Sequence, residues 1–169
     1  GSPAVRIVAM DPTSDAAAYG DACADFYDQI YGPVPPRAVV KRLHALVGSG
    51  RSLELGSATG RVALALRAAG HHRYVGVEAS ERMIDRLRAK PECGELEIVH
   101  GDFAECALPG MFDLIFALVS TFQLLPSLHR QANAFQHLAA YLAPRGVLLL
   151  ECCAPSPHDT GGPLLQVTH

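Results

Sequence analysis

The sequence predicts an α/β protein built on a doubly wound parallel sheet. Three observations lead there. Short apolar, β-branched runs alternate with longer stretches of helical periodicity, a glycine-rich turn follows directly on the first run, and an acid, Glu78, ends the second. Alternation at this period makes βαβ units, and right-handed crossovers lay their strands parallel with helices on both faces. The 169 residues suit one domain, and 49% hydrophobic against 18% charged residues give it a core to bury, which a disordered chain lacks.

Gly1-Ser2-Pro3 reads as the scar of a cleaved tag, and 1–15 as a flexible start. Residues 16–48 read as a helical cap, too aromatic (Tyr19, Phe26, Tyr27, Tyr31) for an idle tail. Pro36 suits the first turn of a helix that turns Val39, Val40, Leu43, Leu46 and Val47 inward. The core is expected over 49–154. Ser52–Leu55 is its first strand, and Arg61–Ala69 a helix with Val62, Leu66 and Ala69 on one face, stopped by Gly70. Tyr74–Glu78 is the second strand, and Ser80 caps a helix carrying Met83, Ile84 and Leu87 at helical spacing. Leu96–His100 and Phe112–Leu118 follow as strands. Ser127 caps a helix to Leu142 with Leu128, Phe135, Leu138 and Leu142 as its stripe, and Pro144-Arg145-Gly146 turns into a fifth strand, Val147–Cys152. Residues 155–169, with Pro155, Pro157 and Pro163, read as an irregular tail.

Composition excludes several roles. With 14 basic against 17 acidic residues the net charge is −3, which disfavours electrostatically driven nucleic-acid binding. No apolar run is long enough to span a bilayer. The cysteines (Cys23, Cys93, Cys106, Cys152, Cys153) are odd in number and hold no C-x-x-C pair, so reduced thiols and a cytoplasmic location are expected, without a metal site. Adjacent Cys152 and Cys153 would point to opposite faces of a strand. The histidines share no metal spacing, and His71-His72 reads as a surface turn.

The turn Glu54-Leu55-Gly56-Ser57-Ala58-Thr59-Gly60-Arg61 carries the chemistry. Gly56 and Gly60 permit close approach and positive φ, and the next helix offers its free N–H groups to the same place. A dinucleotide fingerprint would need glycine at 58 and 61, where Ala58 and Arg61 stand. Glu54, two residues before Gly56, repels phosphate and welcomes an ammonium, while Glu78 at a strand end can accept both ribose hydroxyls. The pattern fits an adenosine joined to a zwitterion better than one joined to a pyrophosphate.

In these segments the chain resembles the class I S-adenosylmethionine-dependent methyltransferases. LELGSATGR (53–61) resembles their glycine-rich motif, VGVEAS (75–80) with Met83-Ile84 their ribose-binding strand end, and HGDF (100–103) their adenine loop. FDLIFALVSTFQLL (112–125) and LAPRGVLLLE (142–151) resemble the fourth strand and the turn into the fifth. YGDACADFYDQIYG (19–32) is similar to the N-terminal lid of small-molecule members, including aminosugar and glycine N-methyltransferase types. The resemblance implies a Rossmann-like sheet of order 3-2-1-4-5, a helical lid and S-adenosylmethionine as cofactor. It implies Glu54, Gly56, Ala58 and Gly60 along the methionine moiety, Glu78 on the ribose, Ala79 and Met83 on the adenine, and Asp102 and Phe103 at its edge. Ala117 and Val119 would line the cofactor, Ser120 and Phe122 would face the acceptor, and Tyr19 and Tyr27 would close the lid. It assigns no catalytic residue.

Two departures stand out. Ala58 replaces the family's middle glycine, and the family's last two strands are absent. A continuation past His169 is therefore expected to cover the fifth strand's bare edge, or else a homo-oligomer does. Without the resemblance, Glu78 is a solvated acid, Asp102 a turn cap, Tyr19 and Tyr27 core aromatics, and His100 a strand-end residue. The expected function is methyl transfer to a nitrogen or acidic oxygen of a small molecule, driven by proximity and orientation. The alternative is a methyltransferase-like fold with a non-methylating role, as a cyclase or a non-catalytic partner subunit. A nicotinamide reductase fits least, since no Tyr-x-x-x-Lys dyad is present.

Overall fold

The computed structural model describes residues 15–33 and 35–153. The tag scar and most of the flexible start, and the tail with Pro155, Pro157 and Pro163, lie outside the described residues. In order come α1 (Ala18–Cys23), α2 (Tyr27–Tyr31), α3 (Arg37–Val47), β1 (Ser52–Leu55), α4 (Arg61–Ala68), β2 (Tyr74–Glu78), α5 (Glu81–Arg88), β3 (Glu97–His100), β4 (Phe112–Ala117), α6 (Leu128–Ala139) and β5 (Leu142–Leu150). The five strands pair in the order β3-β2-β1-β4-β5, all parallel. This is the expected doubly wound sheet.

Strand periodicity explains why both faces are covered. Leu53, Leu55, Val75, Val77, Ile115 and Ala117 enter one core with Phe122, Ala134 and Leu138. The alternate residues Tyr74, Leu114 and Phe116 enter the other with Val40, Leu43, Val62 and Leu66. A parallel sheet buried on both faces needs near-continuous apolar strands, which β4 supplies; β1 is buried at all four positions because Ser52 and Glu54 have hydrogen-bond partners in His71 and Tyr74. Ser80 Oγ accepts the Met83 N–H at 3.2 Å and Ser127 Oγ the Arg130 N–H at 3.1 Å, so both expected caps form.

Several local expectations change. α6 stops at Ala139, because Leu142 pairs with Phe112 and the Phe112 N–H donates to the Tyr141 carbonyl at 2.8 Å. Leu142 thus opens β5 rather than closing a helical stripe. The register shifts between Phe112 and Leu114, which absorbs the Pro144 turn with Arg145 at φ 69°. Cys152 and Cys153 follow β5 rather than alternating within it. Leu46 and Leu128 are exposed, and Ala69 lies past the end of α4 in solvent. These positions sit at the margins of their helices' apolar arcs, beyond reach of the sheet. His71 is not a surface residue: it is 3% exposed, its Nε2 is 2.8 Å from Ser52 Oγ, and it closes the sheet's other end. β5 pairs only with β4 among the described strands, and Val147 is exposed on that edge.

Candidate cofactor site

A cavity of about 460 Å³ opens at the carboxyl ends of β1, β2 and β3, under the first two helices, where open α/β sheets take ligands. Its size falls in the range of small-molecule sites. Of the residues expected there, Tyr19, Tyr27, Gly56, Ala58, Glu78, Ala79, Met83, Asp102 and Phe103 line it. Glu54 and Val119 line a small adjoining hollow with Tyr27, Gly56 and Arg61. Gly60, Ala117, Ser120 and Phe122 line neither. Ala117 is fully buried, and Phe122 stacks in the core between Phe103 and Phe135. Ser120 Oγ donates to Cys153 Sγ at 3.0 Å, away from the cavity.

The turn after β1 is open because glycine keeps it so. Gly56 has φ 71°, and a Cβ there would lie 2.5 Å from the Thr121 methyl, so glycine lets the turn pack against Thr121 at the cavity's edge. Gly60 has φ 83°, and a Cβ on it would strike Leu87, so its role is to let α4 start against α5. Ala58 adopts φ 48° despite its side chain, a conformation that costs a non-glycine residue about 1 kcal/mol. Its N–H donates to Glu78 Oε2 at 2.8 Å.

Glu78 is the best-held group of the site. The Ser80 N–H donates to its Oε1 at 3.0 Å, opposite the Ala58 contact on Oε2. It is 8% exposed, so the reading as a solvated acid is wrong. Burial raises its pKa, partly offset by the N–H groups of Ser80 and Ala58. The Ala79 N–H also bears on this carboxyl, and of its roughly four acceptor positions those left over belong to a side chain that lines the cavity. Glu54 is also buried, and the Tyr74 hydroxyl donates to its Oε2 at 2.6 Å. Burial pushes its pKa up to about 8 against that contact.

At the other end, Asp102 Oδ1 accepts the Ala104 N–H at 2.8 Å, so the turn-cap reading also holds. Its Oδ2 accepts from Arg130 at 2.5 Å, and Arg130 reaches Glu105 at 2.9 Å. Arg130, Glu105 and Pro126 join the lining unannounced by any motif. Arg130 was legible only as a residue of a capped helix, since the pairing with Asp102 spans 28 positions. His100 is exposed at its strand end, 3.0 Å from the Ala79 carbonyl.

The family model described as "Methyltransferase domain" matches residues 29–165. The chain belongs to that methyltransferase domain family. This methyltransferase-domain chain is 31% identical over 163 residues to the cypemycin N-terminal methyltransferase of a Streptomyces species, spanning 92% of itself and 65% of that protein. It superposes on the CcbJ methyltransferase of Streptomyces caelestis with a TM-score of 0.73 and 34% identity, over 81% of this chain and 58% of CcbJ. The sugar N-methyltransferase KedS8 of Streptoalloteichus shares its fold at a TM-score of 0.67 and 19% identity, over 96% of this chain and 64% of that one. The chain thus spans a little under two thirds of these relatives. No helix of the described residues is long and apolar enough to cross a membrane.

Proposed function

We propose that the chain is an enzyme that transfers a methyl group from S-adenosylmethionine to a small-molecule acceptor, a nitrogen or an acidic oxygen. The observation that carries this reading is Glu78, a buried carboxyl held by backbone N–H groups on both oxygens and lining the cavity at the end of β2. Two adjacent ribose hydroxyls match that arrangement. Gly56 also lines this cavity, and with no side chain it lets a ligand approach the backbone of the turn.

When bound, the cofactor supplies an electrophilic methyl group on a sulfonium. The chain's residues orient it and exclude water. Glu54 offers its carboxylate to the amino-acid ammonium, Ala79, Met83 and Phe103 offer apolar surface to the adenine, and Asp102 offers an oxygen to its amino group. Burial raises the pKa of Tyr27, and burial with the Tyr31 hydroxyl raises that of Tyr19. Both hydroxyls stay protonated, so at the cavity they donate hydrogen bonds rather than abstract protons. Among the described residues the cavity lining holds no histidine, which favours an acceptor that needs no strong base: an amine, an acidic phenol or a carboxyl. The N-methylating relatives support nitrogen. We place the enzyme in the cytoplasm, on its odd, unpatterned cysteines, and assign it no nucleic-acid partner, on its net charge of −3.

The test is release of S-adenosylhomocysteine from S-adenosylmethionine across a panel of aminosugars, peptide N-termini and phenols. Turnover on an amine confirms the reading. Cofactor binding with no turnover on any class would favour the non-methylating alternative.

A further inference from the structure

The first two helices cover the cavity, with Tyr19, Gly20 and Tyr27 in its lining, yet among the described residues little that is apolar holds them there beyond the buried Ala24 between them. α2 buries no residue, α1 buries only Gly20, and Phe26 and Ile30 are exposed at 42% and 46%. The attachment is polar and in register. Asp21, Asp25 and Asp28 recur at helical spacing, opposite Ser80, Arg82, Arg86 and Lys90 on and beside α5.

Each aspartate has its own partners. Ser80 Oγ donates to Asp21 Oδ1 at 2.6 Å, and Arg82 donates to the Asp21 carbonyl at 2.6 Å. Asp25 takes Arg82 at 2.9 Å on one oxygen and Arg86 at 2.6 Å on the other. The Arg86 and Arg82 guanidinium groups hold its carboxyl below the ordinary range. Asp28 accepts Lys90 at 2.9 Å and the Thr59 hydroxyl at 2.6 Å. Lys90 also donates to the Thr59 carbonyl at 2.8 Å, inside the turn after β1. Gly20 lets the helix sit this close, since a Cβ on it would lie 2.5 Å from that of Ser80.

Ser80 joins this seam to the site. Its hydroxyl donates to Asp21 while its own N–H donates to Glu78. We propose that Asp21, Asp25 and Asp28 form an electrostatic latch that shuts the α1–α2 cover over the cofactor, and that Asp21 acts through Ser80 as a positioning residue for Glu78. The proposal rests on the assignment of Glu78 to the ribose. Exposed ion pairs are individually weak and screened by salt. That suits a cover that must open at every turnover, whereas an apolar seam would have to be unburied each time.

The test is the dissociation rate of S-adenosylhomocysteine from the full chain, followed by displacement at several salt concentrations. Wild type should release it about threefold faster at about 0.5 M than at about 0.05 M salt, as screening opens the latch. Asp25→Ala should release it about fivefold faster at low salt, with a flattened salt dependence and an unchanged melting temperature of the free protein. Asp21→Ala should also blunt the preference for S-adenosylhomocysteine over its 2′-deoxy analogue, and Asp21→Asn should restore it, because the amide oxygen still accepts from Ser80. A wild-type rate indifferent to salt overturns the latch, as does an Asp25→Ala rate equal to wild type. Failure of Asp21→Asn to rescue overturns the positioning role. Wild type that binds no S-adenosylhomocysteine overturns the ribose assignment and this proposal together, so the two failures are distinct.

Discussion

The two walls of the cavity are built on opposite principles. The sheet wall presents Glu78, with Glu54 in the adjoining hollow, buried at 8% and 5% exposure and held by backbone N–H groups and a tyrosine hydroxyl. The cover presents Tyr19 and Tyr27 on two short helices held by exposed ion pairs. Desolvating a carboxylate is costly unless its hydrogen bonds are made in advance, and the strand ends make them before any ligand arrives. On the proposed reading the sheet wall sets affinity and the cover sets the rate of exchange. Substitutions on the sheet wall should change affinity with little dependence on salt, and those at the cover should do the reverse.

The largest effect is expected at Glu78. With Glu78 assigned to the ribose as proposed, Glu78→Ala removes a charged acceptor from its two hydroxyls and should weaken cofactor binding by about 2–3 kcal/mol, read by calorimetry at low and high salt. Equal affinities for wild type and variant would move the ribose elsewhere, and a loss that vanishes in salt would erase the contrast between the walls.

Glu54 should give the next largest effect, through pH. Its carboxyl, raised from 4.5 to about 8 by burial, is protonated at neutral pH in the free protein. A raised folded value favours folding at low pH: that stabilisation is complete below 4.5 and is lost as the pH rises through about 8. A ligand ammonium favours the ionised form, so binding should release a proton and tighten about tenfold as the pH rises from about 6 to about 8. Glu54→Gln should flatten that slope; a slope that survives would show that another group carries it.

Asp102→Ala removes a contact to a neutral amino group and should cost about 1 kcal/mol of affinity. Asp102 is shared with Arg130, so Arg130→Met should reproduce part of the loss. An Asp102→Ala variant that binds like wild type would detach the adenine from this end. The smallest effect is expected at Ala58. Its φ of 48° strains a side chain, so Ala58→Gly should tighten binding by up to about 1 kcal/mol, the relief exceeding glycine's entropy in the unfolded chain. A loss of affinity would rule out strain or crowding by this side chain.

The sheet wall was legible in the sequence because its signals are local. Each strand's alternation and the Gly56–Gly60 turn are read within a few residues, and Glu78 is placed by the periodicity of the strand that it ends. The same locality misled at margins: Leu142 satisfies a helical stripe on paper, yet β4 captures its backbone. His71 looks like a turn residue, yet Ser52 holds it inside. Arg130 and the aspartates of the cover were illegible for the opposite reason. Their partners lie 28 and about 60 positions away, and charged residues on amphipathic helices look alike until a neighbour is placed.

The most direct test of the central assignment is calorimetric titration of the chain with S-adenosylmethionine, S-adenosylhomocysteine and NADH. The account predicts that both sulfur ligands bind in the low micromolar range or somewhat weaker, about 7–8 kcal/mol, while NADH gives no heat, because Glu54 and Ala58 leave no seat for a pyrophosphate. Heat from NADH with none from either sulfur ligand would contradict it.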